Sequence, residues 1–218
     1  MLESLVAARA QARLHRYASV SPDDLDFLRS QGLDREGINE ILGILRGRGV
    51  VSLDAVLDGP FTRKGGGRYS NGDFSVFYSA LEPETARVEV VFWYGRRAFG
   101  DGTKSRTAYY DHVQCDFEGL AKDLRGKRKE WPLLVSGDTR RSYPFCNRLG
   151  AEAVAEGLDG LYAPSARQDS GTCVPVFRRV ALSNPTILES AAFAFDPSSG
   201  GVSISTRSAD APSQSREG

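Results

Sequence analysis

The sequence predicts an α+β protein, and three observations carry that expectation. From Pro60 onward, short apolar or alternating runs are separated by Gly-rich turns, which is the texture of strands. Two stretches with helical spacing and helical end signals interrupt these runs. The two kinds of element do not alternate in the regular strand–helix–strand order of a parallel sheet. With 218 residues the chain can bury one sizeable core, so one principal domain with appendages is expected.

Residues 1–58 read as a small helical N-terminal region. Leu2, Leu5, Val6 and Ala10 fall at helical spacing. In "SPDDLDFLRSQG", Ser21 is a cap, Pro22 takes the first helical position, acidic residues follow and Gly32 stops the helix. Asp34 caps a second helix whose stripe of Ile38, Ile41, Leu42 and Leu45 ends near Gly49.

The principal domain is expected over residues 59–182, with strands at 74–80, 107–117, 160–164 and 173–182. One interrupting helix starts at Pro83 and places Ala86, Glu89, Val90 and Trp93 on one face. The other covers 145–157 and closes on Gly157, which suits the left-handed position just past a helix end. "FEGLAKDLRGKRKE" reads as a short third helix. Residues 183–218 are rich in Ser, Gly and small polar side chains and are expected to be a polar, largely disordered tail.

Lys plus Arg and Asp plus Glu both number 28, so the whole chain offers no general attraction to nucleic acid or to an anionic membrane. Residues 59–182 carry nineteen basic against fifteen acidic side chains, a mild excess that suits a phosphorylated small molecule better than a duplex. Cys115, Cys146 and Cys173 are odd in number and widely spaced, which encodes neither a disulfide framework nor a zinc site and fits a reducing cytoplasm. The N-terminus has Glu3 and several arginines where an export signal needs an apolar core, and no run approaches the length of a membrane span.

Several constellations have ordinary explanations. The turn Gly65–Gly67 lacks the spacing of a phosphate loop and leads into a strand, not a helix. His15 and His112 have no metal-ligand spacing around them, and no nucleophile elbow accompanies them. The basic run at 125–130 lacks aromatic interleaving and reads as a solvated loop.

Arg68, Tyr78 and Glu89 are different. Glu89 sits inside "VEVVFWY", where a carboxylate needs a partner or a task. Arg68 is a natural counter-charge, and Tyr78 in an apolar strand presents its hydroxyl or ring to the same place. A structural ion pair and a functional site both remain open on these residues alone.

The stretch "GRYSNGDFSVFYSALEPETARVEVVF" resembles the opening signature of the RES domain family, named for its Arg, Glu and Ser. That signature has an Arg after a Gly, a Tyr ten residues later, a small residue, and a Glu eleven beyond the Tyr. Arg68, Tyr78, Ala86 and Glu89 meet it. "GLDGLYAPSARQDSGTCVPVF" resembles the second signature, with Ser165 as the serine. Members usually carry Asn four residues before the final Phe, where this chain has Cys173; Asn184 lies downstream.

The resemblance covers about residues 60–180. It implies an ADP-ribosyltransferase-like mixed sheet with flanking helices and an NAD+ cleft, in the manner of toxins of bacterial toxin–antitoxin pairs. The implied reaction is phosphorolysis of NAD+, with inorganic phosphate as co-substrate and without a metal. Transfer of ADP-ribose to a protein and hydrolysis are the alternatives for the same cleft, and a degenerate binding module is a further one. Glu89 would stabilise charge at the ribose, Arg68 would bind a phosphate oxygen, Tyr78 would stack on nicotinamide or orient the ribose, and Ser165 would bond the same end. An Xre-type antitoxin is the implied partner. The stripes of 1–58 leave packing on the domain, homodimerisation and covering of the cleft as their uses.

Overall fold

In the computed structural model, residues 1–20, 31–33, 37, 38, 41, 53–62, 64–100 and 106–208 are described. Seven strands form one mixed sheet: β1 (Ala8–Ser19), β2 (Phe77–Ala80), β3 (Arg106–Asp123), β4 (Gly160–Pro164), β5 (Thr172–Val176), β6 (Leu182–Asp196) and β7 (Gly201–Ser208). Their order is β1-β2-β5-β4-β3-β6-β7, and β1 also pairs with β3. Among the pairings of the described residues only the β3–β4 contact is parallel.

This extra pairing closes a ring. β1 runs antiparallel to β3 from Ala8 opposite Ala121 to Ser19 opposite Tyr110, and reaches β2 through the single pair His15 and Ala80. β2, β5 and β4 complete the circuit back to Asp123 of β3. β6 and β7 extend from the other edge of β3's first half.

Among the described residues three helices cover this frame: α1 (Leu53–Thr62), α2 (Pro83–Gly100) and α3 (Thr139–Ala155). α2 begins at its proline as expected, and its stripe of Ala86, Tyr94 and Ala98 packs on Tyr17 of β1 and Phe193 and Phe195 of β6. α3 starts six residues before the expected position because Asp138 caps it by accepting from the Arg140 N–H at 3.1 Å. Its end is as expected. Gly157 has φ +72°, and the bonds from Leu158 N to Ala153 O and Gly157 N to Val154 O close the helix. Cys146, Leu149 and Ala153 of α3 pack with Tyr69, Leu124, Leu161 and Phe177. Each such large apolar side chain stabilises by roughly 1.5–3 kcal/mol. On the ring's other layer, Leu57 of α1 meets Leu14, Phe77, Phe117 and Val176. Among the described residues no helix is long and apolar enough to cross a membrane.

Three expectations are corrected. Residues 1–19 are not helical beyond a 3-10 turn at Leu2–Ser4. In "ARAQARL" small apolar residues alternate with Arg and Gln, and this period of two, not the wider spacing of Leu2, Leu5 and Ala10, sets the structure. The rest of the expected helical region lies largely outside the described residues, apart from α1. The third helix at 117–130 is instead the end of β3 followed by a 3-10 turn at Arg125–Lys127. Lys122 in that segment is buried and bonds Leu2 O at 2.9 Å and Glu156. Finally, the polar tail is a strand pair as far as Ser208. "SSGG" forms its turn, with Gly200 at φ +67°, and Val202 and Ile204 supply the apolar side that packs against the α2 cluster. Residues 209–218 lie outside the described set.

Candidate active site

The turn before β2 carries Arg68, and it is clamped from two sides. The Asn147 amide of α3 donates to Gly67 O and Arg68 O, both at 2.8 Å. The Tyr78 hydroxyl accepts from the Tyr69 N–H at 3.1 Å. A Cβ on Gly67 would stand 2.5 Å from that hydroxyl, so only glycine lets the Tyr78 ring lie against the turn. Burial pushes the Tyr78 phenol up to about 12, which keeps it protonated. Its carbonyl accepts from Arg16 Nη1 at 2.7 Å.

Arg68 itself does not meet Glu89. Its Nη1 and Nη2 donate to Leu134 O at 3.0 Å and Ser136 O at 3.2 Å, and its guanidinium lies 5.5 Å from the centre of the Tyr143 ring. Among the described residues the two form no ion pair, so the expected counter-charge pair is absent. Arg68 instead ties the turn to the loop ahead of α3.

Glu89 is half-buried on the flank of α2, beside the stripe and not within it. Its Oε1 accepts from the Ser165 hydroxyl at 2.7 Å and from the Cys173 thiol at 3.5 Å. β4 and β5 position these two donors, because Ser165 follows β4 directly and Cys173 is the second residue of β5. Ser165 is fully buried. Its oxygen also accepts from the N–H groups of Arg167 at 3.0 Å and Gln168 at 3.1 Å, so the hydroxyl proton is committed to Glu89. The serine is therefore built to hold a carboxylate and a turn, not to attack. Burial and the neighbouring Glu89 both push the Cys173 thiol well up, so it remains a neutral donor. Cys173 thus occupies a donor position toward Glu89, while Asn184 is remote from it, bonded to Asp116 Oδ2 at 2.9 Å.

The structure brings together Glu89, Ser165 and Cys173 by direct contact, with Arg68 near enough to act on the Cys173 thiol electrostatically and Tyr78 bonded to the turn that carries Arg68. It adds residues that sequence reasoning did not single out. Arg167, inside the quoted "PSAR" turn, lies with its guanidinium 3.7 Å from the centre of the Phe92 ring. Burial lowers its pKa while Glu89 opposes that shift. Tyr143 on α3 stands between Arg68 and Trp93, whose ring centre is 6.1 Å away. The "PSAR" turn was the one signal for Arg167, and nothing in the sequence marked Tyr143.

The two histidines also meet. His15 Nδ1 and His112 Nε2 are 3.1 Å apart, His112 Nδ1 is 3.4 Å from Glu189 Oε1, and the Tyr17 hydroxyl donates to the same oxygen at 2.8 Å. Among the described residues no group of His, Cys, Asp or Glu is arranged to hold a metal ion.

A family model described as the RES domain matches residues 44–196, a span that contains Arg68, Tyr78, Glu89, Ser165 and Cys173. None of the curated proteins matches the chain.

Proposed function

The chain belongs to the RES domain family, a family associated with NAD+ chemistry, and we propose that it cleaves the nicotinamide–ribose bond of NAD+ by phosphorolysis. The observation that carries this reading is the Glu89 carboxylate held by Ser165 and Cys173 beside two arginines. Loss of nicotinamide leaves an oxocarbenium-like ribose, which a fixed carboxylate stabilises. Nicotinamide departs as a neutral ring carrying the bond's electron pair, so no side chain has to donate a proton to it. A phosphate oxygen then forms the new bond to the ribose carbon, giving ADP-ribose 1″-phosphate. The hydrogen bonds from Ser165 and Cys173 keep Glu89 in one orientation, so little reorganisation is needed as charge develops. A protein antitoxin would silence such an enzyme by covering this cleft.

Purified protein should consume NAD+ faster in phosphate than in a phosphate-free buffer of equal ionic strength. Glu89→Gln should reduce the rate by about a hundredfold or more with an unchanged melting temperature. Equal rates in the two buffers would make hydrolysis the reaction, and ADP-ribose label on a protein band would make it protein transfer. NAD+ left intact in every buffer would refute the reading.

A further inference from the structure

The two arginines of the site differ in how their donors are used. Arg68 gives both terminal nitrogens to backbone carbonyls. Arg167 gives only Nη1, to the carbonyl of its neighbour Ala166 at 3.1 Å. Its Nε and Nη2 are shielded from water and have no hydrogen-bond partner among the described residues. These two nitrogens form one side of the guanidinium fork, the side that grips two oxygens of one phosphoryl group. The Tyr143 hydroxyl is likewise shielded and unpartnered. It lies within electrostatic reach of Arg68, Arg167 and Glu89.

A guanidinium cannot shed its proton, so unmet donors there cost stability in the empty protein. Stacking on Phe92 offsets part of that cost without satisfying a single N–H. With Arg68 and Arg167 set against Glu89, the cluster has a net positive charge, and its two unmet groups both have protons to give. It lacks acceptor-rich, negatively charged matter.

We propose that Arg167 and Tyr143 form the seat for phosphoryl oxygens, and that Arg68 is chiefly the brace that holds the wall of the cleft. This deepens the NAD+-cleaving reading and rests on it for the identity of the ligand. The phosphoryl group belongs either to the dinucleotide's pyrophosphate or to free phosphate, and the recognition chemistry is the same for both. Binding turns the Arg167 side chain so that Nε and Nη2 face the anion, with the Tyr143 hydroxyl donating to a further oxygen.

The test uses the full chain carrying Glu89→Gln, titrated calorimetrically with inorganic pyrophosphate, ADP-ribose and orthophosphate. Adding Arg167→Gln should weaken pyrophosphate binding at least tenfold without lowering the melting temperature, since it removes unmet donors. Tyr143→Phe should weaken it by a few fold, and Arg68→Gln should lower the melting temperature. In the active protein, Arg167→Gln should raise a KM more than it lowers kcat. A raised KM for NAD+ with weakened ADP-ribose binding assigns the seat to the dinucleotide. A raised KM for phosphate with ADP-ribose binding intact assigns it to the free anion. The proposal is overturned if the Glu89→Gln parent binds none of the three probes, or if Arg167→Gln binds them as tightly as that parent. NAD+ left intact by the wild type would remove the reaction, whereas the anion titrations would still decide the role of Arg167.

Discussion

Two buried polar chains border α2, and they end differently. In the first, His15, His112, Glu189 and Tyr17 satisfy one another: with both rings neutral, His15 Nδ1–H donates to His112 Nε2 and His112 Nδ1–H to Glu189, which also accepts from Tyr17. In the second, Glu89 is held by Ser165 and Cys173, but the chain runs on to Arg167 Nε and Nη2 and the Tyr143 hydroxyl, which meet nothing among the described residues. Burial and a polar network are common to both. On the proposed reading, the unmet donors beside Glu89 make the second chain the one that takes a ligand, whereas the first satisfies its own members.

The largest effect that sharpens this contrast is expected at Ser165. Ser165→Ala leaves the Arg167 and Gln168 N–H groups without their acceptor and Glu89 without its strongest donor. We expect a loss of about 1–3 kcal/mol in stability and of roughly a hundredfold in kcat/KM for NAD+, read by urea unfolding and nicotinamide release. Glu189→Gln should lower stability and leave the cleavage rate unchanged. If both variants lose activity equally, the distinction between the two chains is lost. A smaller effect is expected at Tyr78, where Phe keeps the ring but strands the Tyr69 N–H. Tyr78→Phe should cost about 1 kcal/mol in urea unfolding, and a fall in NAD+ cleavage beyond that fraction unfolded would assign its hydroxyl to the substrate.

What could be read from the sequence follows the range of the forces involved. The start of α2, the Gly157 stop and the β4 boundaries are local, set by proline geometry, left-handed backbone and a short apolar run. The strand character of β1 and β7 was missed because neither stretch is apolar enough to declare itself. Ala10, Ala12 and Leu14 face the core only because β3, about a hundred residues away, supplies the partner edge. The site divides in the same way. Glu89 and Ser165 were legible because a carboxylate in an apolar run and a paired signature are local patterns. The replacement of the Arg68–Glu89 pair by carbonyl bonds was not, since the Leu134–Ser136 loop reaches Arg68 only through the tertiary fold. The His15–His112 contact joins residues on two strands and leaves no mark in either segment.

The smallest expected effect is a slope with pH, and it tests the closed chain alone. Burial lowers the pKa of His15, with His112 and Arg13 adding to the shift and Glu82 opposing it. Burial also lowers that of His112, against the pull of Glu189. Both folded-state values therefore lie below the unfolded value of about 6.5. In the window beneath that value the unfolded chain binds more protons than the folded one, so stability falls as the pH drops through it and is fully present above it. The urea midpoint should decline from pH 7.5 to pH 5.5 in the wild type, and the decline should flatten in His15→Gln, which keeps a hydrogen-bonding side chain opposite His112. A wild-type midpoint that rises toward pH 5.5 would mean that Glu189 outweighs burial, making the chain a charged pair and not a neutral one. An unchanged slope in His15→Gln would move the titration elsewhere.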